Sequence, residues 1–144
     1  MKEAIDRAVI DAKLRELSRR LIRLRDKRPK SARQLADDQD LQDILARNLE
    51  IAVQSCTDIA SHVCGAHQIV PTTAGDSFVQ LARLGMIDEP LSKAMQRAVG
   101  MRKVLAHDYA DVDWTLVVKV LRDDLEDLAN FGRAVIAWMN GQQG

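Results

Sequence analysis

Residues 91–109 read Leu91-Ser92-Lys93-Ala94-Met95-Gln96-Arg97-Ala98-Val99-Gly100-Met101-Arg102-Lys103-Val104-Leu105-Ala106-His107-Asp108-Tyr109. Set on a helical wheel of about 100° per residue with Leu91 at zero, Leu91, Met95, Ala98, Leu105 and Ala106 cluster within about 60° of that direction. The stretch is therefore an amphipathic helix running to about Ala106. Asp88-Glu89-Pro90 starts it: a capping Asp, an acidic first turn, and Pro near the first helical position. Arg97 and Lys103 fall far from the apolar centre, as solvated charges should. Arg102 falls at about 20° on the same wheel, in the middle of the apolar face.

An arginine in that position needs a partner, because a buried charge is costly unless paired and hydrogen-bonded. Either a carboxylate meets it, within the chain or across a subunit boundary, or the face opens on a cleft that takes an anion. Asp58 is the candidate carboxylate. His107 lies five residues on, about 140° around a regular helix. It joins Arg102 only if the helix frays near Ala106, or if the site is a groove between two subunits. Asp108 and a cap at Asp111 or Asp113 favour fraying.

The same periodicity extends outward in both directions. Downstream, a helix from Trp114 to about Met139 buries Leu116, Val117, Val120, Leu121, Leu125, Leu128, Phe131, Val135 and Trp138. Upstream, Thr73 or Asp76 opens a short helix through Phe78, Leu81 and Leu84 that Gly85 ends. Before that, Asp38 or Asp40 caps a long helix with Leu41, Ile44, Leu45, Ala52, Cys56, Ile59 and Val63 on its apolar face, closed by Gly65. Asn48 and Ser55 within that stripe read as satisfied core polar groups. A first helix spans about Lys2 to Lys27, with Ile10, Leu14, Leu17, Leu21 and Leu24 on one stripe and Arg15, Arg19 and Arg23 on another; Pro29 ends it. The expected fold is an all-α, up-and-down bundle of about five helices, one domain over residues 1–144.

Composition agrees. Apolar residues make up 47% of the 144 and aromatic residues only 3%, so the core is built from Leu, Ile, Val and Ala, a mix that suits helices. No apolar run approaches the ~20 residues of a membrane span, and the charged N-terminus is unlike a secretion signal. Cys56 and Cys64 have no metal-binding spacing and read as reduced, buried residues of a cytoplasmic protein. His62 and His67 lack ligand-spaced partners and read as structural, so no metal or cofactor is expected. Residues 1–33 hold 12 Lys/Arg against five Asp/Glu, a net +7, and the remainder holds nine against 16, a net −7. The basic N-terminal helix either faces an anion or pairs with the acidic remainder or a second subunit.

Arg102 through Tyr109 spell R-x4-H-x-Y at the end of one helix, before a long apolar C-terminal helix. In that context the motif resembles the signature of the HEPN superfamily, in particular of HepT-like toxins. Arg47-Asn48-Leu49-Glu50-Ile51-Ala52-Val53-Gln54 and Cys56-Thr57-Asp58-Ile59-Ala60 resemble that family's second helix. Asp76-Ser77-Phe78 through Leu84-Gly85 resembles its short middle helix. The resemblance covers residues 38–140. It implies a homodimeric, metal-independent endoribonuclease, the toxin of a type II/VII-like toxin–antitoxin pair. His107 would be its acid and base, and Arg102 its phosphate clamp. Lys103, where the family usually has a small polar residue, would be an auxiliary cation, and Asp58 a second auxiliary group. It further implies a minimal nucleotidyltransferase antitoxin that attaches AMP to Tyr109, the single tyrosine of the chain. Two other functions fit the residues: a non-catalytic HEPN module that binds a nucleotide or protein, and a structural dimerisation domain.

Overall fold

The structure, a computed structural model, describes residues 5–107 and 112–141, with side chains for all of these except Ala106 and His107. Among the described residues it is all helix, in seven elements: α1 (Arg7–Asp26), α2 (Ala32–Ala36), α3 (Gln39–Ala66), α4 (Ala74–Arg83), α5 (Glu89–His107), α6 (Trp114–Asp123) and α7 (Leu125–Gly141). Side-chain caps set most starts. Asp6, Ser31, Asp38, Thr73 and Asp113 each accept hydrogen bonds from backbone N–H groups in the first turn of α1, α2, α3, α4 and α6. Asp88 does the same for α5, accepting from the Leu91 N–H at 2.9 Å.

The expectation of about five helices is corrected at two places. α2 is an added turn that buries one apolar side chain, Leu35; five residues with one apolar anchor carry no period to read. The long C-terminal helix is two, because α6 stops at its C-cap, Asp124, and α7 restarts at Leu125. Leu121 and Leu125 are both buried, so the apolar stripe runs straight across the break and hides it. The acidic side chains mark it instead: Glu126 and Asp127 fall in the first turn of α7, where the helix dipole favours them.

The end of α3 also differs from expectation. Gly65 stays helical, and Gln68 takes the left-handed conformation at φ 60°. The Ile69 N–H donates to the Cys64 carbonyl at 2.8 Å and the Gln68 N–H to Gly65 at 3.0 Å, a Schellman closure three residues later than expected. α4 ends by the same pattern at Gly85, φ 82°, as its glycine predicts.

α3 is the central element, packed by α1, α2, α4, α5 and α7. The start of α1 meets the end of α3, where the Asp6 N–H donates to His62 Nε2 at 3.0 Å. Further along, Arg20 Nη1 donates to Asn48 Oδ1 at 3.1 Å, so the two helices run antiparallel. α1 is antiparallel to α7 as well: Arg7 reaches Asn140 and Arg25 reaches Glu126. α1 and α7 pack closely at Gly132, where a Cβ would make ordinary contact with Leu17 Cδ2 at 3.4 Å. Phe78 and Phe131, both fully buried, meet edge-on at 5.4 Å between centroids. The histidines outside the motif serve the frame. His62 holds the start of α1, and His67 contacts the Val63 carbonyl and packs its ring on Trp138.

Candidate active site

Arg102 projects from the last turns of α5 into a cleft of about 350 Å³ walled by α1, α3 and α5. Lys13 and Glu16 line it from α1, and Arg47, Glu50, Gln54, Ser55 and Asp58 from α3. Arg47, Glu50, Gln54 and Asp58 recur at three- to four-residue steps, so one face of α3 presents them, with Ser55 at its edge.

The charges sort into pairs of unequal quality. Asp58 does not meet Arg102: its Oδ2 takes Lys13 Nζ at 2.8 Å and its Oδ1 takes the Gln54 amide at 2.8 Å. Glu16 binds Arg20 and Arg19, and these hydrogen bonds, Arg20 first, hold its carboxyl below the ordinary range. The remaining acid, Glu50, faces Arg102 at 4.0 Å from Nη2, the outer limit of an ion pair. Glu50 precedes Asp58 by eight residues on α3, about 12 Å along the axis, and lies level with Arg102. Arg102 Nε is buried and has no hydrogen-bond partner among the described residues. The central arginine of an apolar helix face is thus held by one long ion pair and keeps an unmet donor beside an open cleft. An anion in the cleft would meet the accessible part of the guanidinium, whose side chain is 30% exposed, while the buried Nε lies out of its reach.

Asn48, buried on the α1 side, is satisfied by Arg20 and by donating to the Ile44 carbonyl at 2.7 Å. Lys103 is exposed. α5 remains helical through His107, so fraying at Ala106 does not occur, and the backbone holds Arg102 and His107 in regular helical register. The His107 side chain and Tyr109 lie outside what the structure describes. The sequence reading missed Glu50 and Arg47 as cleft residues. Their signal was available in the step from Arg47 through Glu50 to Gln54 along the polar edge of the α3 stripe.

A second concavity of about 360 Å³ lies between α3, α5, α6 and α7, lined by Leu49, Val53, Met101, Val104, Leu116 and Val120 among others. Val104 and Leu116, on its rim, are about half exposed (48% and 49%). Among the described residues no group of three or more His, Cys, Asp or Glu sits close enough to hold a metal ion, and no helix is long and apolar enough to cross a membrane.

An all-helical bundle in which a late helix carries the Arg102 and His107 positions of the sequence R-x4-H-x-Y, with the arginine facing an inter-helical cleft, defines a HEPN-type domain. The chain belongs to the ribonuclease HepT-like family, which residues 10–135 match. It is 36% identical over 99 residues to the mRNA nuclease HepT of Shewanella oneidensis, covering 68% of this chain and 74% of that protein. Among solved structures it resembles a tri-AMPylated HEPN toxin of the same organism in complex with its MNT antitoxin. That match has a TM-score of 0.83 at 32% identity and covers 90% of this chain and 97% of that one. A toxin–antitoxin structure with AMP-PNP matches at TM-score 0.84 and 30% identity, over 90% of this chain and 98% of that one. YutE, a cytosolic Bacillus subtilis protein of unknown function, shares the fold at TM-score 0.84 and 15% identity, over 99% and 95% of the two chains.

Proposed function

We propose that this chain is the toxin of a type II/VII-like toxin–antitoxin pair: a metal-independent endoribonuclease that works as a homodimer, with Arg102 and His107 as its catalytic residues. The observation that carries this reading is the under-bonded Arg102 guanidinium, open to a cleft at the position of the motif arginine.

The chemistry follows from what RNA cleavage by its own 2′-hydroxyl requires. The 2′-oxygen attacks phosphorus, the P–O5′ bond breaks, and a 2′,3′-cyclic phosphate and a 5′-hydroxyl result. A neutral imidazole takes the 2′ proton and an imidazolium returns one to O5′; histidine supplies both forms near neutral pH. Arg102 grips the non-bridging oxygens as charge builds on them. Lys103, exposed on the next position, adds a cation. One chain carries one motif histidine, and a two-fold axis supplies the second. Two observations support the dimer. α5 is helical through His107, so the backbone positions of Arg102 and His107 lie about 140° apart around its axis, and a groove between copies is where the two groups would meet. The half-exposed Val104 and Leu116 rim an apolar concavity beside the motif, the kind of surface a second copy would cover.

Control would act at Tyr109. A minimal nucleotidyltransferase antitoxin transfers AMP from ATP to its hydroxyl, the phenol oxygen bonding to the α-phosphorus as pyrophosphate leaves and the phenolic proton is released. This places bulk and negative charge two residues from His107, where they neutralise the cations and fill the groove. The relatives' AMPylated complex supports this reading.

The test expresses wild type, His107→Ala and Tyr109→Phe in a cell, each with and without a co-expressed nucleotidyltransferase of this family. Growth, RNA integrity and intact protein mass are read together. Wild type should arrest growth and degrade RNA, and the partner should reverse both while adding the mass of AMP. Tyr109→Phe should escape the mass change. RNA left intact by every variant, with a stable complex formed regardless of His107, would establish the non-catalytic binding module instead.

A further inference from the structure

The fold uses only part of the basic first helix. Lys13 pairs with Asp58, Arg20 with Glu16 and Arg25 with Glu126, and Arg7 closes on the end of α7. Arg15, Arg23 and Lys27 are exposed and have no ion-pair partner among the described residues. Arg19, also exposed, leans on Glu16. Arg15, Arg19 and Arg23 stand at every fourth position of α1, and Lys27, the residue that caps its C-terminal end, follows four residues later.

We propose that this row is a docking track for the sugar–phosphate backbone of a single RNA strand, leading it to the Arg102 cleft. The inference rests on the ribonuclease reading and adds where the rest of the substrate lies. Three features point to RNA. Each i to i+4 step advances about 6 Å along the helix axis, of the order of the repeat between successive phosphates in a strand. The row adjoins the candidate site, because Arg19 holds Glu16 and Glu16 lines the Arg102 cleft. And the field is one-sided: residues 34–144 carry a net −7, so an RNA strand is repelled elsewhere and focused onto α1.

The row contributes little to the fold. Its side chains are exposed, and α1 is anchored by Ile10, Leu17, Leu21 and Leu24. The triple variant Arg15→Gln/Arg23→Gln/Lys27→Gln should therefore keep its melting temperature. Its binding to a labelled single-stranded oligoribonucleotide is measured by anisotropy in the non-cleaving His107→Ala background across a salt series. Cleavage of the same oligonucleotide and of a dinucleotide is measured with His107 present. Each phosphate contact on a single strand contributes about 0.7 to the slope of log K against log salt, so losing three should flatten it by about two. KM for the oligonucleotide should rise about tenfold or more, with kcat and dinucleotide cleavage unchanged. An unaltered salt slope and KM overturn the proposal. So does a variant that still binds RNA but no longer binds the nucleotidyltransferase, which would make the row a protein contact. Failure of the ribonuclease reading shows separately, as wild-type protein that leaves RNA intact, and the binding measurement still decides the role of the row.

Discussion

Replacing Arg102 with Met separates what this residue does for the fold from what it does for a ligand. Arg102 Nε is buried without a partner among the described residues, and an unmet donor of this kind costs about 1–3 kcal/mol. Its compensation is one ion pair to Glu50 at 4.0 Å between side chains 30% and 28% exposed. A pair so long and so accessible to water contributes about 0–1 kcal/mol. Methionine retains the buried methylene stem at similar volume and removes the unmet donor. Glu50 is then left unpaired, but water reaches it. The balance favours the variant by about 1 kcal/mol, or roughly 3 °C in Tm for a domain of this size. The assay is urea denaturation followed by far-UV circular dichroism, at fixed protomer concentration because dimerisation adds to apparent stability. RNA cleavage is measured on the same preparations. The expected result is unchanged or higher stability with cleavage abolished. A loss of more than about 1.5 kcal/mol would mean that Arg102 is a keystone of the bundle, and that the weak pairing inferred from its geometry is wrong.

Three further outcomes follow from the packing and charges. Phe131→Ala deletes one ring of the buried Phe78–Phe131 pair and should cost about 3–5 kcal/mol in the same denaturation assay, whereas Val70→Ala, at a side chain 90% exposed, should cost almost nothing. Asp127 has its carboxyl pushed above the ordinary 3.8 by burial first, then by Asp124, with Arg97 partly offsetting. Its folded form therefore holds the proton more tightly than the unfolded chain, and the stability it contributes below pH 3.8 is lost as pH rises through the raised value. Asp127→Asn should accordingly raise Tm at pH 7 and make no difference near pH 3. Burial pushes both the Cys56 and Cys64 thiols up, so neither should react with a disulfide reagent at pH 8 in the native protein, and both should react once urea unfolds it.

Long apolar periods made most of this bundle legible. The stripes of α1 and α3, the caps at Asp38, Thr73, Asp88 and Asp113, and the Gly85 stop all follow from local rules that the tertiary structure respects. The break at Asp124 was not legible, because Leu121 and Leu125 keep the apolar period unbroken across it while only the backbone changes. Nor was the late end of α3, where Gln68 rather than a glycine accepts the left-handed turn. At the site, the wheel position of Arg102 left two outcomes open, a facing carboxylate or a cleft for an anion, and the structure has Glu50 at 4.0 Å and a cleft beside it. It could not choose between Asp58 and Glu50 as the facing acid. That choice depends on the axial register of α5 against α3, and on Lys13 of α1 claiming Asp58 first. Spacing within one helix carries no information on either.

Cleavage of RNA by the purified protein in the presence of a metal chelator, comparing wild type with His107→Ala, bears on the mechanism most directly. Wild type should cut and leave 2′,3′-cyclic phosphate ends, and the alanine variant, equally folded, should leave the RNA whole. Equal cutting by both proteins, or cutting only when a divalent ion is restored, would contradict a site built from imidazole and guanidinium alone.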